Sequence, residues 1–163
     1  MKWGGFLKVS IVCLSLAILL VPSMSKAEEK EEKVVYHCDF GDDSRFNDML
    51  TNIYNLVDYY TTHNVSYDVR VVANGACVQF LLKDRKGTKF ESKKIEEKQA
   101  KHTDEMMKSL VDGYGVKFEQ CNITLNRMKI EKTKLEPFVS IIPSGQVRVV
   151  ELHDKGFAYI KVQ

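Results

Sequence analysis

Cysteine is scarce in this chain, with four residues in 163; proline is scarcer at three, and the formal net charge is only +2. So few cysteines exclude a disulfide-dense scaffold, and so small a charge excludes nucleic-acid binding driven by electrostatics. With nine glycines, three prolines and 44% hydrophobic residues, the chain is neither fibrous nor disordered. Several motifs are absent too. There is no P-loop, G-x-G-x-x-G, G-x-S-x-G or H-E-x-x-H, so nucleotide binding, serine hydrolysis and zinc proteolysis have no support. What is present is the length of one ordinary domain with one hydrophobic core.

Long apolar runs are also missing, with one informative near-exception. Val9–Val21 is apolar apart from two serines, follows Lys2 and Lys8, and precedes Ser25-Lys26-Ala27. A basic start, a short apolar stretch and small residues before Glu28 predict a signal peptide over residues 1–27. As a helix the run would measure about 20 Å at roughly 1.5 Å per residue, short of the roughly 30 Å of a bilayer core. Cleavage is therefore expected rather than a retained membrane anchor, which places the mature protein in the periplasm or outside the cell. It takes away Cys13 and three of the 24 basic residues, leaving 136 residues, 21 basic groups against 22 acidic ones and a charge near −1. Three cysteines remain, an odd number in an oxidising compartment, so at least one is unpaired or bridges to another chain.

Residues 28–33 (EEKEEK) read as a charged leader, and residues 34–163 as the domain. Strands are predicted at Val34–Cys38, Tyr67–Ala73, Val116–Cys121, Phe138–Ile142 and Ala158–Val162. Between them, Phe46, Met49, Leu50, Ile53, Leu56, Val57 and Tyr60 recur at helical spacing, with Ser44 as the expected N-cap. Cys77–Leu82 suits a short helical turn. A further helix is expected from Ile95 to Asp112, with a Glu97–Lys101 pair and Gly113 as its cap. Asn122–Met128 and Gln146–Lys155 complete the set. Lys83–Lys94, with six basic residues, two acids and only Phe90 as a large apolar group, reads as a solvated, mobile loop. Strands alternating with helices imply crossover connections. The fold class is therefore α/β: a three-layer α/β/α sandwich on a mainly parallel five-stranded sheet.

That topology gathers the thiols. In an open parallel sheet, ligands bind at the carboxyl edge of the strands. Cys38 ends the first strand, Cys77 follows the second and Cys121 ends the third. Cys121 also precedes a helix start, whose free N–H groups stabilise a thiolate, the reactive form of the side chain. The plain alternative is a small buried hydrophobe at a strand end. Asn122 and Thr124 are placed to donate hydrogen bonds to a sulfur anion. His37 would serve as a base if its ring faces the edge, although a lone histidine there is more often simply hydrogen-bonded.

Val34–Asp42 (VVYHCDFGD), Val71–Leu82 (VVANGACVQFLL), Gly115–Leu125 (GVKFEQCNITL), Pro143-Ser144-Gly145 and Gly156–Lys161 (GFAYIK) stand in order over nearly all of residues 34–161. Together they resemble the DsrE/DsrF-like family of small sulfur-handling proteins, in particular its exported members. The resemblance implies an α/β/α sandwich and a sulfur relay in which one cysteine, matched here by Cys121, takes up a persulfide sulfur and hands it to a partner. Cys38 and Cys77 depart from the family pattern, and export separates this chain from the cytoplasmic tRNA-thiolation branch.

Four readings follow. The first is a sulfur carrier using Cys121, with a sulfur donor or acceptor protein or a small sulfane-sulfur compound as partner. The second makes Cys38 and Cys77 a structural disulfide. The third is metal binding by His37, Cys38, Cys77 and Cys121, which no C-x-x-C or H-x-x-x-H spacing supports. The fourth is a ligand-binding or assembly module without chemistry. A homo-oligomer is expected, with no nucleic acid, no cofactor and no resident metal, and enzymatic turnover is left open.

Overall fold

The computed structural model describes residues 31–93 and 95–162. The expected signal peptide and the first residues of the expected leader lie outside them. In chain order the elements are β1 (Glu32–Cys38), α1 (Asp43–Thr62), β2 (Tyr67–Ala73), a 3₁₀ helix (Gly75–Leu81) and α2 (Glu97–Tyr114). They continue with β3 (Lys117–Cys121), α3 (Asn122–Met128), a 3₁₀ turn (Lys132–Lys134), β4 (Ser140–Ile142), α4 (Gly145–Asp154) and β5 (Ala158–Lys161). The five strands form one all-parallel sheet in the order β4-β3-β2-β1-β5. β1 begins at Glu32, two residues before the apolar run, because Glu32 and Lys33 pair in register with Tyr67 and Asp68 of β2.

Alternation along the strands divides the molecule into two cores. Val34, Tyr36 and Cys38 of β1, Val69, Val71 and Ala73 of β2, and Phe118 of β3 join the main core with Phe46, Met49, Leu50, Ile53 and Val57 of α1 and Met107 and Leu110 of α2. On the other face Val35 and Val72 pack with Leu152 of α4 and Phe157. One ten-residue helix covers this second face, so most of the apolar burial, worth roughly 25 cal/mol per Å², is on the α1–α2 side.

Local chemistry sets the helix ends. The N-cap of α1 is Asp42, whose carboxylate accepts from the Arg45 N–H at 2.8 Å, and the expected cap Ser44 lies inside the first turn. A charged acceptor at the positive end of the helix dipole outcompetes a hydroxyl. Likewise α2 runs through Gly113 and stops at Gly115, where φ is +68°. That left-handed conformation is nearly free for glycine and strained for other residues. The expected Glu97–Lys101 pair gives way to Lys101–Glu105 at 3.8 Å and Lys108–Asp104 at 2.7 Å. Glu97 is the first helical residue, where the dipole already favours its charge. Nor is the basic stretch after Leu82 purely solvated. Phe90 is buried, Lys93 pairs with Asp43 at 2.7 Å and donates to Gln79 Oε1 at 2.7 Å, and Asp84 pairs with Lys134 at 2.9 Å.

The α4 face also carries an ion network. Buried Glu119 of β3 takes two hydrogen bonds from Arg148 of α4 (2.7 and 2.8 Å) and one from Arg70 of β2 (3.0 Å). Glu119→Gln keeps the shape but replaces a charge-assisted acceptor by a neutral amide facing two guanidiniums. A loss of about 2 kcal/mol is expected, to be checked by urea unfolding.

Candidate functional site

Side-chain alternation decides which groups share the carboxyl edge. His37 follows Val35 by two positions, Asn74 follows Val72, and Cys121 follows Glu119, so all three lie on the α4 face. Cys38 has the opposite parity and faces the main core, where it forms a disulfide with Cys77 of the 3₁₀ helix, with Cα atoms 5.7 Å apart. The three thiols therefore share an edge but not a face. Cys121 is the free one. This pairing removes two ligands from the four-residue metal set, and among the described residues no group of three or more His, Cys, Asp or Glu side chains is placed to hold a metal ion.

Cys121 is the N-cap residue of α3 and is 5% exposed. Burial pushes its thiol pKa up. The opposing pull is larger: the Gly145 and Thr124 N–H groups, the Thr124 hydroxyl and the Ile123 N–H all stabilise the thiolate, and the net shift is downward. Thr124 can donate its hydroxyl proton because its oxygen accepts from the Gly75 N–H at 3.0 Å. Two helix starts thus converge on one sulfur, α3 through Ile123 and Thr124 and α4 through Gly145. Space is tight at Gly145: a Cβ there would lie 3.3 Å from the Cβ atoms of both Asn74 and Cys121.

Asn74 forms the remaining wall. Its backbone N–H donates to the Cys38 carbonyl at 2.9 Å and its carbonyl accepts from the Cys77 N–H at 3.2 Å, so the disulfide brackets it on both sides. Its side-chain Oδ1 accepts from His37 Nε2–H at 3.0 Å, and His37 Nδ1 in turn accepts from the Tyr159 hydroxyl at 3.1 Å. With the Asn74 amide oxygen engaged by His37, its Nδ2 has no acceptor among the described residues, and the Asn74 side chain lies against Gly145.

The structure thus brings Cys121 and Thr124 into direct contact and links His37 to them only through Asn74. Both His37 nitrogens are occupied, so the histidine orients an amide and does not touch the sulfur. Asn122 makes no hydrogen bond to the sulfur, and its Oδ1 is buried without a partner among the described residues. Sequence reasoning missed Asn74, Gly145 and Tyr159. The turn signals Asn74-Gly75 and Pro143-Ser144-Gly145 were the available clues, since each sits just past a strand on the same edge.

A lowered thiol pKa has a direct consequence for reactivity. Alkylation of Cys121 is expected to hold its full rate below the roughly 8.5 of a free thiol and to fall as pH drops through the lowered value. A pH series of iodoacetamide rates checks this, and a midpoint at or above that of a free cysteine would refute it.

Comparison with known proteins agrees with this architecture. The family model of the DsrE/DsrF-like family matches residues 24–162. The chain belongs to that family. An uncharacterised protein of Aquifex aeolicus (strain VF5) is 30% identical over 129 residues, covering 78% of this chain and 55% of that protein, so the chain spans about half the relative's length. Among solved structures, the protein of unknown function MTH1491 from Methanobacterium thermoautotrophicum superposes with a TM-score of 0.62 at 26% identity, covering 80% of this chain and 99% of that one. The ychN protein of E. coli does so with a TM-score of 0.53, covering 80% and 98%. At 15% identity the latter likeness concerns the fold alone. In this DsrE/DsrF-like chain the disulfide and the free cysteine are therefore built onto a family sheet, at the carboxyl edge of its strands.

Proposed function

We propose that the protein is a sulfur carrier in which Cys121 cycles between thiolate and persulfide. The observation that carries this reading is the convergence of three backbone N–H groups and the Thr124 hydroxyl on the Cys121 sulfur, which favours an anion at that atom. In the loading step the thiolate attacks the terminal sulfane sulfur of a polysulfide or persulfide. A sulfur–sulfur bond forms, the donor's own sulfur–sulfur bond breaks, and the donor leaves as a thiolate from a persulfide or as the anion shortened by one sulfur from a polysulfide. In the return step an acceptor thiolate attacks the outer sulfur of Cys121, and the Cys121 thiolate is regenerated. No net oxidant is consumed. With 5% of Cys121 exposed, the sulfur is suited to a slim terminal sulfane atom rather than a broad surface, which supports a small donor or a protruding partner cysteine.

The protein works outside the cytoplasm after removal of residues 1–27. The Cys38–Cys77 disulfide supports that location, since such bonds persist in oxidising compartments. Self-association through the α4 face is part of the proposal, because Val147, Val150 and Tyr159 are exposed there. Cold cyanolysis after incubation with polysulfide, followed by a small thiol acceptor, tests the carrier function. One sulfane equivalent per chain, lost to the acceptor, is expected; no sulfane sulfur on the protein would overturn the proposal.

A further inference from the structure

Asn74 is the only asparagine of the chain that is followed by glycine. In that dipeptide the glycine nitrogen can attack the carboxamide carbon of the asparagine, because no side chain shields it and the glycine backbone turns freely. A bond forms between the Gly75 nitrogen and Asn74 Cγ, the bond from Cγ to Nδ2 breaks, and the proton of the attacking nitrogen leaves with the departing group as ammonia. Water then opens the cyclic imide at either carbonyl, which leaves aspartate or isoaspartate at position 74. No oxidant or reductant takes part.

The fold prepares one partner of this reaction and withholds the other. Asn74 Oδ1 accepts a hydrogen bond from His37 Nε2 at 3.0 Å, which draws electrons from the carboxamide carbon. The attacking nitrogen, by contrast, is occupied: the Gly75 N–H donates to Thr124 Oγ1 at 3.0 Å. Thr124 is buried, so water does not readily take its place. Ring closure also requires rotation about the Asn74 Cα–C bond, which stands extended at ψ 176°. That rotation is resisted from both sides. The Asn74 N–H donates to the Cys38 carbonyl at 2.9 Å, its carbonyl accepts from the Cys77 N–H at 3.2 Å, and the disulfide joins those two cysteines.

We propose that Asn74-Gly75 is a latent deamidation site kept closed by the Thr124 hydroxyl, and that its modification lowers the reactivity of Cys121. The register of β2 and β3 pairs Ala73 with Gln120, so residue 74 stands beside Cys121. A carboxylate there puts a negative charge next to the thiolate and disfavours it. Thr124 thus serves two residues at once, donating to the Cys121 sulfur and accepting from Gly75. These contacts are the same whether or not Cys121 carries sulfur.

Peptide mapping by mass spectrometry after incubation at mildly alkaline pH follows residue 74, with isoaspartate counted by enzymatic methylation. In wild type unfolded in guanidinium, Asn74 is expected to convert at least about tenfold faster than in the folded protein. Folded Thr124→Val should convert about fivefold faster than the folded wild type, the factor of one neutral hydrogen bond, and Thr124→Ser should match the wild type. Hydrogen exchange needs no variant: in the folded wild type the Gly75 amide should exchange at least about tenfold more slowly than in the unfolded chain. Asn74→Asp, the product of the reaction, should alkylate at Cys121 with a pH midpoint above that of the wild type. Equal conversion in folded and unfolded wild type, unprotected exchange at Gly75, or no acceleration in Thr124→Val would overturn the closed site. An unmoved midpoint in Asn74→Asp would overturn its effect on Cys121.

Discussion

Replacing both Cys38 and Cys77 by alanine is expected to destabilise the fold by about 4 kcal/mol, which for a domain of this size lowers the melting temperature by about 15 °C. The disulfide closes a loop of sequence separation 39, and the loop-closure entropy lost by the unfolded chain over that length is the source of the figure. Both sulfurs are fully buried in the main core, and alanine leaves space that the neighbours fill only in part. The same loop contains all of α1 and β2, so the bond links the end of β1 to the 3₁₀ helix that follows β2. Thermal and urea unfolding of the oxidised wild type and the double variant measure the difference. A difference below about 1 kcal/mol would show that the unfolded chain is already constrained in that loop.

Gly145→Val is expected to cause the largest loss of reactivity short of removing Cys121 itself. A β-branched side chain at 145 meets the Cβ atoms of Asn74 and Cys121, where a single Cβ already lies at 3.3 Å from each. Neither neighbour is the flexible end of a long side chain, so the start of α4 must move away and take the Gly145 N–H with it. A hydrogen bond to a charged acceptor is worth about 1.5 to 3 kcal/mol, and its loss raises the thiol pKa. The pH midpoint of alkylation then moves upward, and at any pH below it the alkylation rate falls by up to about the ten- to hundredfold that this hydrogen-bond energy corresponds to. Gly145→Ala should show the same direction with a smaller effect, because a shift of a few tenths of an ångström accommodates one methyl. Unchanged alkylation in Gly145→Val would mean that α3 alone holds the thiolate.

Much of this molecule was legible in its residues. The alternation of β-rich runs with helical spacing is enough for a parallel sheet with helices on both faces, because parallel strands need long crossovers. Cap positions were less legible. Asp42 and Ser44 are both good N-cap residues two positions apart, and Gly113 and Gly115 both suit a helix end; tertiary packing chooses between them. At the site, Cys121 was readable because its two cues, a strand end and a helix start, are adjacent in the chain. Asn74 and Gly145 were not, since they come from two other connections and meet Cys121 only when β2, β3 and β4 lie in register. Three cysteines in the domain meant that at least one is left without a partner within it, but not which one. That follows from parity along β1: Cys38 points into the core toward Cys77, while His37 points to the opposite face.

The most direct measurement is the intact mass of the wild type and of Cys121→Ser after exposure to polysulfide and removal of the excess. A gain of one sulfur atom by the wild type, reversed by a thiol, with no gain by Cys121→Ser, is the expected result. An equal gain in both proteins would contradict sulfur carriage at Cys121.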